Sequence, residues 1–246
     1  MSYRQDKIFS LPMLHLNQWQ FDQQVADVFP DMITRSVPGY SIITSMIGKF
    51  SHEFVTSHTY IYDLGCSYGT VTSCIIKNLK ATNCTLIAID NSPAMIAHCK
   101  KHLQQVMTYD NNIINIIESD ICDVTIVNAS MVVLNFTLQF LSLVKRQQIL
   151  KSIYRGLKPG GVLIVSEKFH FDDHEIQTLF FDMHHNFKLS NGYSRLEINQ
   201  KRQIIEKVLL TESIENHKKI LFAIGFTHVE IWFQYLNFGS LIALKY

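Results

Sequence analysis

The sequence predicts a doubly wound α/β fold, and three observations carry that expectation. From Thr59 onward, short β-branched runs alternate with amphipathic helical runs, the pattern of a parallel sheet covered by helices on both faces. The segment Asp63-Leu64-Gly65-Cys66-Ser67-Tyr68-Gly69 turns a strand directly into a helix through glycine. The last residues, 227–233 and 236–245, read as two strands with a short connection, which closes the sheet antiparallel. At 246 residues the chain is near the upper size of one hydrophobic core, so a single domain over 1–246 is expected.

The elements follow in order. Phe21, Val25, Val28 and Phe29 make one helical stripe, and Ile43, Met46, Ile47 and Phe50 make a second. Between them Ser36-Val37-Pro38-Gly39-Tyr40 breaks the helix, so residues 1–55 form a helical lid before the sheet begins. A strand over 59–64 enters the glycine turn, and the next helix carries Val71, Cys74, Ile75 and Leu79, opening near Tyr68. A strand over 85–89 ends at Asp90, where Ser92 as N-cap and Pro93 at the first helical position start a helix bearing Ile96, Cys99, Leu103 and Val106. Strands over 113–117 and 130–134 end in Glu118-Ser119-Asp120 and in Asn135. A helix near 145–154 runs through Gly156-Leu157-Lys158-Pro159-Gly160-Gly161 into a strand over 162–166.

Past Ser166 the alternation stops, and residues 172–212 read as a helical insert. Ile176, Leu179, Phe180, Met183 and Phe187 form a wide apolar helix face, and Gly192-Tyr193 interrupt it. Ser194-x-x-Glu197 has the form of a capping box for a helix carrying Ile198, Ile204, Ile205 and Val208. A last helix over 213–224 stops at Gly225.

Composition excludes several function classes. Lys and Arg number 22 against 21 Asp and Glu, so the clustered positive charge of a large nucleic-acid footprint is not expected. Cys66, Cys74, Cys84, Cys99 and Cys122 are odd in number and lack C-x-x-C spacing, which argues for free thiols and no zinc site. Residues 1–10 lack the apolar core of a signal peptide, and the apolar stretch 129–143 is broken by Asn135, Thr137 and Gln139. The expectation is a soluble cytoplasmic protein with no membrane partner.

The chemistry gathers at the strand ends, which line the ligand crevice of open α/β sheets. Gly65 lets a ligand approach the main chain, and the following helix directs backbone N–H groups at a carboxylate. A dinucleotide site has the fingerprint G-x-G-x-x-G, but here Ser67 replaces the middle glycine and Thr70 the third. Asp90 suits two ribose hydroxyls, and the alternative is turn chemistry before Ser92. Asp120 suits an exocyclic amine with Ile121 packed on the ring, or it is an exposed loop carboxylate. Asn135 is a polar end to an apolar strand, either in the crevice or satisfied in a turn.

Asp63-Leu64-Gly65, Asp90, Asp120 and Leu157-Lys158-Pro159-Gly160-Gly161 stand in the order and spacing of the class I S-adenosylmethionine (SAM)-dependent methyltransferases, which the chain resembles over about residues 59–246. That resemblance implies a Rossmann-like seven-stranded sheet. A closer one rests on Phe29-Pro30-Asp31-Met32-Ile33, Arg35-Ser36-Val37-Pro38-Gly39-Tyr40, Ala88-Ile89-Asp90-Asn91-Ser92-Pro93, Ser166-Glu167-Lys168-Phe169, Gln200-Lys201-Arg202 and Asn237-Phe238-Gly239-Ser240-Leu241. These segments look like those of the bacterial carboxy-S-adenosylmethionine synthases nearly end to end.

The resemblance implies that SAM, as a substrate, receives a carboxylate from prephenate on its methyl carbon while phenylpyruvate leaves. The product then serves a separate enzyme that builds 5-carboxymethoxyuridine at the tRNA wobble position, so stable tRNA binding by this chain is not expected. It further implies Tyr40 contacting SAM from the lid, Gly65, Cys66 and Ser67 cradling its methionine part, and Asp90 and Asn91 on the ribose. Asp120 and Ile121 fall on the adenine, Asn135 near the sulfonium, and Arg202 on the transferred carboxylate, in a homodimer without a metal. Cys66 contributes its backbone and not a nucleophilic thiol. His184 and His185 point about 100° apart on a helix and are poor joint ligands. The rivals are a methyltransferase acting on tRNA or a small molecule, and a non-catalytic SAM-binding subunit. Arg202 separates the first from a synthase, because a plain methyl donor needs no cation beside its methyl group, while the second stays open because no side chain of the site proves turnover by its chemistry alone.

Overall fold

The computed structural model describes residues 4–13, 18–106 and 112–246; the expected lid at 1–3 and 14–17 lies outside them. Two helices, α1 (Gln23–Ser36) and α2 (Tyr40–Phe54), precede the alternating part. That part runs β1 (Tyr60–Leu64), α3 (Thr70–Asn78), β2 (Thr85–Asp90), α4 (Pro93–Leu103), β3 (Ile113–Glu118), β4 (Ala129–Asn135), α5 (Leu143–Gly156) and β5 (Leu157–Lys168). Helices α6 (His174–Ser190), α7 (Arg195–Ile205) and α8 (Ile214–Ile224) follow, then β6 (His228–Tyr235) and β7 (Phe238–Leu244).

The seven strands lie in the order β3-β2-β1-β4-β5-β7-β6, with β7 antiparallel to both of its neighbours, as the two closing runs predicted. Chain direction across the sheet reverses between β1 and β4, and a crevice opens at the carboxyl ends of such a pair. Asp63 pairs with Val133, so Gly65 and Asn135 come side by side at this switch point. One face of the sheet packs Leu150, Ile153 and Leu221 from α5 and α8. The other packs Ile43, Ile47, Ile75 and Ile96 from α2, α3 and α4.

The local signals explain most helix starts. Ser92 accepts from the Met95 N–H with Pro93 in the first turn, and Ser194 and Glu197 form the full capping box of α7. Four boundaries differ from expectation. Leu157 already pairs with Ala129, residues 158–161 bulge out, and the ladder resumes at Val162 opposite Met131, so β5 begins inside the Pro-Gly-Gly turn. Helix α3 opens at Thr70, because Gly69 is its left-handed N-cap at φ 81°. Helix α4 ends at Leu103 and α7 at Ile205, so Val106 and Val208 pack from the turns that follow. On α6, the wide apolar face is left uncovered at Leu179 and Met183, which are 50% and 46% exposed.

Candidate active site

The glycine turn is built by alternate left-handed residues, Gly65 at φ 82°, Ser67 at 47° and Gly69 at 81°. Gly65 is required by the protein itself as well as by any ligand. A Cβ there would lie 2.4 Å from Thr137 Oγ1, and that hydroxyl donates to the Leu64 carbonyl at 3.0 Å. The expected amide target at the start of α3 is partly taken: Asp63 Oδ2 accepts from Thr72 N at 3.1 Å and from Thr72 Oγ1 at 2.5 Å. Burial pushes the Asp63 carboxyl up to about 6, against these hydrogen bonds.

A cavity of about 160 Å³ lies over this turn at the carboxyl ends of β1, β4 and β5, roofed by α1, α6 and α7. Of the predicted residues, Tyr40, Gly65, Cys66, Ser67, Asn135 and Arg202 line it. Tyr40 packs on Phe136 with ring centroids 6.3 Å apart, and its burial raises the phenol well above its ordinary pKa. Cys66 is buried; the neighbouring Cys99 thiol and that burial hold its own thiol well up, so it stays protonated and is no nucleophile. All five cysteines are free. Asn135 Oδ1 is buried without a hydrogen-bond partner, as is Trp19 Nε1 on the same wall. Such orphaned groups are expensive in an interior unless a ligand meets them.

Asp90, Asn91, Asp120 and Ile121 stand outside that wall, along the ends of β2 and β3. Asp90 serves the turn: Oδ2 accepts from Ser67 N and Oδ1 from Ser92 N, each at 2.9 Å, and the residue is 9% exposed. Burial raises its pKa against those bonds. Asn91 is exposed. Asp120 accepts from Cys122 N at 2.9 Å and pairs with Lys145 at 3.3 Å, and the Cys122 amide holds its carboxyl below the usual range. Ile121 is only 6% exposed and its side chain belongs to the core, so the apolar contact it offers a ring is small.

The Gln200-Lys201-Arg202 segment divides its labour. Gln200 donates to the Phe9 and Leu11 carbonyls, each at 2.9 Å, and accepts from Met13 N at 2.7 Å, pinning the irregular segment 9–13 onto α7. Lys201 bonds Ser36 Oγ at 3.1 Å and pairs with buried Asp6 at 3.7 Å. Arg202 turns the other way: its guanidinium lies 3.9 Å over the Phe181 ring, and Nε donates to both Glu206 oxygens at 2.9 Å. His184 and His185 do part company: buried His184 bonds the Ser36 carbonyl through Nε2 at 2.8 Å, and burial drives its pKa down to about 3, so it is a neutral donor. Asp63, Trp19, Lys168 and Lys188 also line the cavity, and sequence reasoning gave none of them a role.

The sheet order, the switch-point cavity and the glycine turn define a class I methyltransferase fold. A family model for the methyltransferase domain matches residues 61–161. Among solved structures, a putative SAM-dependent methyltransferase from Methanococcus maripaludis shares 21% identity at a TM-score of 0.61, over 95% of this chain and 97% of its own. The magnesium protoporphyrin IX methyltransferase of Synechocystis, solved with bound SAH, shares 14% identity at a TM-score of 0.60, over 87% of each chain. Carboxy-S-adenosyl-L-methionine synthase of Photorhabdus laumondii is 54% identical over 99% of this chain and 96% of its own. The synthase of Yersinia enterocolitica is 54% identical over 98% and 90%. The chain belongs to the carboxy-S-adenosyl-L-methionine synthase family, a family of transferase-type enzymes.

Proposed function

We propose that this chain converts SAM and prephenate to carboxy-SAM and phenylpyruvate, supplying the donor for 5-carboxymethoxyuridine in tRNA. The observation that carries this reading is that Arg202 lines the same cavity as Gly65, Cys66, Ser67 and Asn135. The residues present fit SAM. Asn135 Oδ1 offers an unused acceptor to the ligand's ammonium, Asp63 brings a carboxyl beneath a cation, and Gly65 lines the same cavity. On this reading Asp90 and Asn91 take the ribose, Asp120 the adenine amine, and Arg202 the new carboxylate.

The proposed chemistry balances without a protein base. Prephenate dianion breaks its ring–carboxylate and ring–hydroxyl bonds, giving phenylpyruvate, CO2 and hydroxide as the ring becomes aromatic. Hydroxide takes a proton from the sulfonium methyl group to give water, and the resulting carbon forms its bond to CO2. The protein contributes proximity, exclusion of water and cationic stabilisation of the carboxylate. The chain acts in the cytoplasm as a homodimer, and exposed Ile176, Leu179 and Met183 on α6 support pairing through the insert. No described helix is long and apolar enough to cross a membrane. The formal charge of +1 supports leaving tRNA to another protein. Incubation with SAM and prephenate tests the reading: phenylpyruvate should form one for one with a species heavier than SAM by one CO2. Accumulation of S-adenosylhomocysteine (SAH) on adding tRNA would show methyl transfer instead.

A further inference from the structure

Four cations line the cavity, and they are not equivalent. Lys201 is matched by Asp6 and Arg202 by Glu206. Lys168, at the carboxyl end of β5, and Lys188, one helical turn after His184 on α6, have ammonium groups with no hydrogen-bond or ion-pair partner among the described residues. The other carboxylates on this wall are engaged: Glu197 caps α7 and Asp63 serves Thr72. Neighbouring His184 is held neutral and donates to Ser36, so it supplies no counter-charge. Burial, then the fields of Lys168, Lys201 and Arg202, bring the Lys188 ammonium down to about 8, against the weaker opposing field of Glu206. Glu206, which Arg202 already engages, is the carboxylate whose field reaches both lysines, so two like charges share one distant counter-charge; that weakens the empty fold, and a ligand anion is what would offset them. The unpartnered N–H of Trp19 is a third donor in the same cavity, which Phe140 and Phe181 also line.

We propose that Lys168 and Lys188 form an anion subsite that holds the carboxylate the second substrate keeps, leaving Arg202 free for the one that is transferred. The ligand class is a small carboxylic acid on an unsaturated ring, because Trp19, Phe140 and Phe181 line the same cavity as the two lysines. Prephenate as the probe rests on the proposed synthase reading; the subsite itself rests on the unmatched lysines.

SAH lacks the reactive methyl group, so binding can be measured without turnover. SAH-loaded wild type and the variants Lys168→Met, Lys188→Met and Lys188→Arg are titrated with prephenate by calorimetry. Each Met variant should bind prephenate on the order of 30-fold more weakly or worse, with SAH affinity kept, and Lys188→Arg should recover most of the loss. Without ligand the Met variants should melt no lower than wild type, since an unmatched buried charge has been removed. Equal prephenate affinity in wild type and Met variants would overturn the subsite. So would a large fall in melting temperature with loss of SAH binding, which marks the lysines as structural, or inorganic phosphate binding as tightly as prephenate. A wild type that binds prephenate through these lysines but makes no carboxy-SAM would support the subsite and remove the synthase reading.

Discussion

Replacing Arg202 with alanine isolates the one group that distinguishes carboxy-SAM from SAM. A guanidinium that meets a carboxylate in a fully desolvated pair contributes about 2–5 kcal/mol, whereas an exposed pair contributes about 0.2–1 kcal/mol. Arg202 falls between these limits, with its side chain 41% exposed and its Nε already shared by both Glu206 oxygens at 2.9 Å. The ligand carboxylate must therefore replace or share Glu206, and the net effect of Arg202→Ala should be about 1–3 kcal/mol, roughly 5–150-fold, on carboxy-SAM alone. Arg202→Lys should be intermediate, keeping the charge and losing the planar fork. Glu206→Gln should strengthen carboxy-SAM binding by releasing the guanidinium. The assay is competition calorimetry with both ligands on all four proteins. An unchanged ratio of the two dissociation constants in Arg202→Ala would remove Arg202 from carboxylate recognition.

Three further outcomes follow from the same geometry. Asp90→Ala should weaken SAM binding by about 1.5–3 kcal/mol through loss of a charged acceptor, and it should also lower unfolding free energy, because the Ser67 and Ser92 amides lose their partner; unchanged calorimetric affinity would reduce Asp90 to a turn residue. Gly65→Val should remain soluble but lose SAM binding, with a lowered melting temperature from the φ of 82° and the Thr137 contact; normal binding would mean that the turn is only structural. Asp63 is raised to about 6, so its protonated form favours folding below pH 3.8 and that contribution is lost as pH rises through 6. A cationic ligand prefers the carboxylate, so SAM affinity should rise by up to about tenfold per pH unit toward 6 and then level off. A flat profile between pH 5 and 7, roughly the window set by that linkage, would dismiss the coupling.

Local signals made the frame of the molecule readable, and long-range contacts hid the rest. Ser92-Pro93 and Ser194-x-x-Glu197 act within one turn of helix, so their caps appear where the residues predict them. Asp63-Leu64-Gly65, Asp90 and Asn135 mark strand ends, and strand ends fix the crevice. The protein-side demand on Gly65 comes from Thr137, 72 positions away, which no local pattern announces. Lys168 and Lys188 sit on a strand end and on an amphipathic helix, where a lysine ordinarily means solvent; only the roof formed by α6 and α7 turns them inward. The Leu157–Val162 irregularity escaped because a Pro-Gly-Gly turn and a bulged strand share one composition. The broad stripe on α6 was visible, but a stripe does not say whether this chain or another copy covers it.

The central claim is that a carboxylate carbon, and not a methyl group, changes hands in the cavity over Gly65. Prephenate labelled with carbon-13 in its ring carboxylate, incubated with SAM and the purified chain, tests it directly by mass spectrometry of the nucleoside product. The account predicts a product heavier than SAM by one labelled CO2, with unlabelled phenylpyruvate formed in equal amount. Label left in dissolved CO2 with SAM unchanged, or SAH as the only new nucleoside, would contradict it.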